Sequence, residues 1–387
     1  MFILYGTMFL FGFLENIKGV SYPLIKNEFG VSYETQGKMI SVLSFSYTLF
    51  VVLSGFMLGR FGVKKVYLQG LVFALLGVGS IYFMPGFWAA SVSLLLVFAG
   101  FGIFEIGVNG VATQLFTKKA ALMMSLLHFM YGAGAIISPK AAGMLADPAG
   151  PGLLWRQIYL LTLPLVLIIF VPALFTKFPQ AEAEPAQAGT SGEKTHGFIT
   201  ALKTPIVWVF GITLGLMIGL EMASSNWGGL YFQDVYQMDP TTIGANFVSA
   251  FFILFTLSRL VSGFLIEKIG YMRSLFGAVL ILIVIFTAGF ALGPLGVYIL
   301  PLLGFFISIF WPTIMAVAMG YFGSDAPVNT AAIIAIAGLL NALMQLSMGY
   351  INRWIGAAWG YRSCLVFTLM LLCLLTLLNR RLKKGKS

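Results

Sequence analysis

The chain has 387 residues, of which 59% are apolar and only 9% are charged, and it carries a formal net charge of +10. A soluble domain carries about a quarter charged residues, so this composition excludes an ordinary soluble enzyme, and its apolar content excludes disorder. The basic excess does not point to nucleic acid, because most Lys and Arg fall between apolar stretches or at the C-terminus, as in proteins oriented by a membrane.

The apolar stretches are long and continuous, which argues for membrane helices and against a barrel of short alternating strands. Twelve spans are predicted. Six lie near 1–23, 35–58, 66–84, 88–116, 120–146 and 154–176, and six near 205–232, 242–266, 271–292, 296–322, 328–352 and 359–379. The first carries Glu15 and Lys18, with no basic stretch before it and no small-residue cleavage signal after it, so we expect a retained helix. The one long polar segment, 177–204, is rich in Pro, Ala, Gly and charge, the composition of a flexible linker without apolar periodicity. The expected organisation is an N-terminal six-helix bundle (1–176), a cytoplasmic linker (177–204) and a C-terminal six-helix bundle with a basic tail (205–387). The fold class is all-α, integral to the membrane.

With the N-terminus inside, the outer loops hold only Lys26, Lys38, Arg156, Arg353 and Arg362. Lys18, Lys140 and Arg259 lie within spans, so fifteen of the 23 cations remain for the inner loops, linker and tail. That bias places both termini in the cytoplasm and the chain in the inner (cytoplasmic) membrane. Cys364 and Cys373 share one span at a spacing of about 13 Å by helix rise, too far for a disulfide. No phosphate loop, dinucleotide fingerprint, nucleophile elbow or His/Cys metal cluster occurs. We therefore expect neither an enzyme nor a pump driven by ATP, and no cofactor or metal.

The halves repeat each other. Gly55, Arg60 and Gly62 recur as Gly263, Lys268 and Gly270, each 208 residues on. Parallel six-helix repeats build transporters whose site lies between two bundles. The loop pattern Gly-x-x-x-(Asp/Glu)-(Arg/Lys)-x-Gly resembles the signature of the major facilitator superfamily. Its second copy has Glu267, while the first has Gly59 in that place. Arg259, four residues before Gly263, could reach Glu267 and serve structure with this loop. Glu105-Ile-Gly-Val-Asn109, the stretch Leu127 to Pro139 and Phe310-Trp-Pro-Thr-Ile314 look like the fucose–galactose–glucose:proton symporter branch. The resemblance implies proton coupling at Glu105 and at an acid of the first span. Glu15 is that acid here, about one turn earlier than in the branch.

Charges at bilayer depth need a partner or a wet cavity. Glu105 lies 13 residues before Lys118, about 20 Å inside by helix rise, with Asn109 one turn on. It can be a proton carrier or a protonated link between helices. Glu15 and Lys18 share a face and can neutralise each other, either as a titratable site or as an outer ion pair with Lys18 reaching the headgroups. Asn16 beside them can bond a hydroxyl. Glu221 precedes Ser225-Asn226-Trp227-Gly228-Gly229 and Tyr231, where a helix break would suit a midplane site. Trp227 and Tyr231 fit an interfacial belt nearly as well. His128, Tyr131, Trp311, Thr313, Asn341 and Gln345 can line the cavity or bridge helices.

The expected function is secondary active transport of a neutral sugar or similar polyol with a proton. The rival with the same fold is a proton-coupled exporter of drugs or metabolites. Expected partners are a sugar-like small molecule, protons and the lipid bilayer, with no nucleic acid and a monomeric state. Cysteines placed at Gly152 and Gly192 are expected to react with an impermeant thiol reagent from opposite sides of the membrane. Labelling from the same side would overturn the topology.

Overall fold

The computed structural model describes residues 1–116, 120–178 and 191–384. Lys118, Lys119 and residues 179–190 of the polar segment lie outside them. The first half comprises α1 (Phe2–Asn16), α2 (Lys18–Phe29), α3 (Tyr33–Phe61), α4 (Val63–Ile81), α5 (Phe87–Leu115), α6 (Ala120–Ala146), α7 (Trp155–Leu160) and α8 (Leu163–Phe175). Next come α9 (Ser191–Leu202), α10 (Pro205–Tyr236), α11 (Ala245–Ile269), α12 (Tyr271–Ala291), α13 (Gly296–Ile299), α14 (Leu303–Ile307), α15 (Phe310–Phe322), α16 (Ala326–Ile355), α17 (Trp359–Arg362) and α18 (Cys364–Lys384). Among the described residues nine helical stretches, Gly293–Ile355 counted as one, are long and apolar enough to cross a membrane, consistent with the twelve expected passes. The pairs α1/α2, α7/α8 and α17/α18 each make one interrupted pass, and α13 to α15 together make another.

Helix ends follow local chemistry. Ser32 caps α3 by accepting from the Thr35 amide at 3.2 Å, and Asp239 accepts from the Thr241 amide at 2.9 Å ahead of α11. Gly62 turns α3 into α4 at φ 77°, and Gly270 turns α11 into α12 at φ 95°. Both need a backbone conformation costly to any residue with a Cβ, so the sequence repeat is also a repeat of turn geometry. Lys64 ties the first turn to the end of the sixth pass, donating to the carbonyls of Leu174 at 2.8 Å and Thr176 at 2.9 Å.

Two bundles meet along α3 with α16 and along α6 with α11. The contacts rest on small residues that let backbones approach. A Cβ on Gly37 would stand 2.8 Å from the Gly349 Cα, and Gly132 of α6 faces the Thr256 side chain of α11 with no room for a methyl group. Polar links reinforce one end. Lys26 pairs with Asp234 at 3.3 Å, Tyr33 donates to Asp234 at 2.5 Å, Gln233 donates to Asn27 at 3.2 Å, and Arg353 pairs with Glu34. Both ion pairs that join the bundles among the described residues lie at this end. At the other end Gly55, Gly59 and Gly263 face open space, and Phe56 and Phe264 are exposed.

Two expectations need correction. α10 runs unbroken through Ser225 to Gly229, and the interruption falls in the first pass instead, at Ile17 between Glu15 and Lys18. Gly228 and Gly229 serve packing: the first faces the Phe247 ring and the second the Gly19 carbonyl. Residues 191–202, expected within the linker, form α9, with Ala201 buried and Gly197 against Val328 of α16. Phe198, Ala201 and Leu202 give one helical face that average composition concealed.

Val in place of Gly37 is expected to wedge α3 from α16 and favour the conformation open at the pinned end. In a cysteine-free background, a cysteine at the buried Thr48 should then react several-fold faster with an impermeant reagent. An unchanged rate would mean the closure is held elsewhere.

Candidate functional site

The first pass places a polar cluster halfway along its length. Gly12 of α1 lies directly on the Tyr131 carbonyl of α6, and Gly134 of α6 lies on the Phe9 carbonyl. This close crossing brings the next turn of α1 against α6. Ser138 adds a hydrogen bond to the Phe13 carbonyl at 2.6 Å. Glu15 accepts from Tyr131 at 2.7 Å and from Lys18 at 3.2 Å. Lys18 also approaches the Met222 sulfur of α10 at 3.5 Å and lies 5.6 Å from the Phe98 ring centre. It is only 1% exposed, so it does not reach toward headgroups. Burying the pair is tolerable because both charges find partners. Asn16 donates to the Gly12 carbonyl at 2.9 Å, while its buried Oδ1 accepts nothing.

A second group is less complete. Glu105 projects from α5 one turn beyond Gly102, which packs on the Tyr47 carbonyl of α3. Asn109 donates to the Glu105 carbonyl at 2.6 Å and stands 3.5 Å from its carboxylate. Glu221 of α10 and Arg259 of α11 lie within electrostatic range of each other, and Arg259 within range of Glu105 and His128. Glu105 and Glu221 are partly exposed and Arg259 is exposed. Among the described residues none of the three forms an ion pair within 4.0 Å. Arg259 therefore does not hold Glu267; its neighbour is the Phe255 ring, 4.5 Å from the guanidinium carbon.

Four residues expected at the site are drawn into the second bundle instead. Gln345 accepts from Trp227 Nε1 at 2.9 Å and from Asn226 at 3.2 Å, and donates to Asn341 at 3.1 Å and the Gly219 carbonyl at 3.3 Å. All four side chains are buried. Trp227, at 1% exposed, belongs to no interfacial belt. This hub fastens α10 to α16. Tyr231 is likewise internal, sharing a hydrogen bond with Tyr236 at 3.2 Å and accepting from Arg362 at 3.4 Å.

Trp311 and His128 are partly exposed, whereas Thr313 is buried and donates to the Ile309 carbonyl at 2.5 Å. Arg60, Glu267 and Lys268 are exposed at the ends of their helices. Two recesses of about 150 Å³ beside Tyr67 and Phe178 and about 340 Å³ beside Tyr82 and Leu161 lie away from the charged groups. Sequence reasoning missed Tyr47, within range of Glu105, Glu15 and Glu221. It also missed the Lys26–Asp234 link. A lone Tyr in a span carries no distinguishing signal. Asp234 could have been singled out as an acid at the end of an otherwise apolar helix.

A family model described as Major Facilitator Superfamily matches residues 4–328. The L-fucose-proton symporter of Escherichia coli (strain K12) is 21% identical over 368 residues, covering 86% of this chain and 82% of that protein. A glucose/galactose transporter of Brucella abortus is 23% identical over 370 residues, covering 90% and 86% respectively. The crystal structure of the E. coli fucose:proton symporter superposes with a TM-score of 0.68 at 18% identity, covering 98% of this chain and 97% of that one.

Leu in place of Gln345 is expected to leave Trp227 Nε1 and the Asn226 amide without acceptors. Membrane hydrogen bonds average about 0.6 kcal/mol each, so the loss of several should lower the melting temperature of detergent-solubilised protein by a few degrees. Solute affinity should stay within about two-fold, on the order of 0.4 kcal/mol. A large affinity loss at unchanged melting temperature would place Gln345 in the binding site.

Proposed function

The chain belongs to the major facilitator superfamily, and from that premise we propose that it moves a small polar solute, a sugar, together with protons by alternating access. That it is a membrane transporter and not an enzyme follows from the family. The observation that carries the finer reading is the set of three acids, Glu15, Glu105 and Glu221, brought to mid-depth from both bundles. Ionisable groups at that depth mark proton and substrate paths by default. The names of the fucose and glucose/galactose relatives support a sugar, and the former supports protons.

In this reading Glu105 carries the proton, because among the described residues no cation holds its carboxylate within ion-pair distance and Asn109 stands 3.5 Å from it. Glu15 is held by Tyr131 and Lys18 and orients the first pass. The partly exposed Trp311 offers an apolar face to sugar C–H groups, while the Asn16 Oδ1, buried without a partner, would meet a solute hydroxyl only after the bundles move. Asn226, Trp227, Asn341 and Gln345 act as scaffold. With both termini in the cytoplasm, the Lys26–Asp234 end faces outward and the Gly55 and Gly263 end faces inward. Alternation then requires those outer links to break while the Gly55 and Gly263 loops come together.

Glu105→Gln keeps the shape of the protonated acid. It should abolish accumulation of solute against a gradient while sparing counterflow, which cycles the loaded carrier without proton release. Counterflow and proton uptake measured side by side in proteoliposomes decide the matter. If the variant still accumulates solute, Glu105 is structural.

A further inference from the structure

The two intramembrane cations near the site differ in one respect. Lys18 is buried and satisfied by Glu15, whereas Arg259 is exposed and has no carboxylate within ion-pair distance among the described residues. Its position is fixed by the helix crossing beside it. Thr256 meets Gly132 where α11 passes α6, and Arg259 follows Thr256 by three residues, on the same helical face. His128 precedes Gly132 by four residues on antiparallel α6, so both side chains stand at one level, just past the contact. Glu105 and Glu221 are the acids in range, yet neither closes on the guanidinium.

A guanidinium cannot discharge, and its planar fork of donors matches a carboxylate. At this depth it requires an anion or water. We propose that Arg259 is the docking point for an acidic group on the solute, so that the cargo is a hydroxylated monocarboxylate, such as an aldonate or uronate, rather than a neutral sugar. The proposal rests on the proton-coupled sugar reading and narrows it. Charge balance favours it. With Glu15 and Lys18 cancelling, this group of side chains is neutral when one of Glu105 and Glu221 is ionised against Arg259. Adding a proton alone leaves one net positive charge to be carried through an occluded, poorly solvated state. Adding a proton and a carboxylate restores neutrality. The ionised acid and the solute anion compete for the same guanidinium, so the proton and the solute promote each other's binding by the same factor.

The test is counterflow in proteoliposomes with galacturonate and gluconate, and with galactose as the neutral comparison. Saturable exchange is expected for an acid, with galactose at least ten-fold weaker as a competitor. Proton-driven acid uptake should be unchanged when a potassium diffusion potential is imposed. Arg259→Gln should lose acid exchange at least ten-fold, and Arg259→Lys should recover part of it. Exchange of galactose but of neither acid would overturn this inference and leave the sugar reading standing. Exchange of none of the three would overturn both. Wild-type acid exchange that Arg259→Gln leaves intact would remove Arg259 from the site. Should Arg259→Gln fail to fold, melting-temperature shifts of the wild-type protein decide: stabilisation by galacturonate beyond galactose supports the proposal, and the reverse order overturns it.

Discussion

Hydrocarbon solvates no charge, so every ionisable side chain between the two membrane faces must be paired, wetted or discharged. That constraint sorts the interior of this protein. Lys18 and Glu15 meet it by pairing, with Tyr131 supplying a further donor. Among the described residues Glu105, Glu221 and Arg259 have no ion pair, and the first two are partly exposed and the third exposed, which requires water to reach them. The path of that water follows from where the charges stand. The apolar helices around it are free to pack by shape alone, through glycines and aromatic rings.

The packing has its own logic. Without water to drive helices together, association depends on close contact and internal hydrogen bonds. Glycines at the α1/α6 and α3/α16 crossings bring carbonyls and Cα atoms into contact, whereas the α10/α16 contact adds a buried amide hub around Gln345. The first two crossings position charged groups and the third does not. Asn226 and Asn341, polar and mid-span, therefore end as fasteners, while Glu15 ends in a buried pair with Lys18 beside the α1/α6 crossing.

The membrane helices were legible because each needs a run of about twenty apolar residues, and the repeat because Gly62 and Gly270 occupy the same kind of turn. What a hydropathy reading could not give is azimuth. Gln345 and Asn341 share a helical face, as the spacing requires, but spacing alone does not say whether that face meets a cavity or a neighbouring helix. Contacts distant in sequence were equally out of reach. Nothing in the first half names Asp234 as the partner of Lys26 and Tyr33. The interruption at Ile17 was missed for a different reason. It occurs without glycine or proline at the joint, and the helical dihedrals persist through it.

The ion pairs at the pinned end differ in their contact with solvent. The side chains of Lys26 and Asp234 are 17% and 16% exposed, whereas Arg353 is 54% exposed. Mobile ions screen exposed pairs far more than enclosed ones. Salt on that side of the membrane would loosen the Arg353–Glu34 contact before the Lys26–Asp234 contact. The opposite side has no such bridges between bundles among the described residues. The balance between the two orientations would then respond to the salinity of one compartment and be nearly indifferent to that of the other. A carrier built this way is, in effect, rectified by the ionic medium it faces.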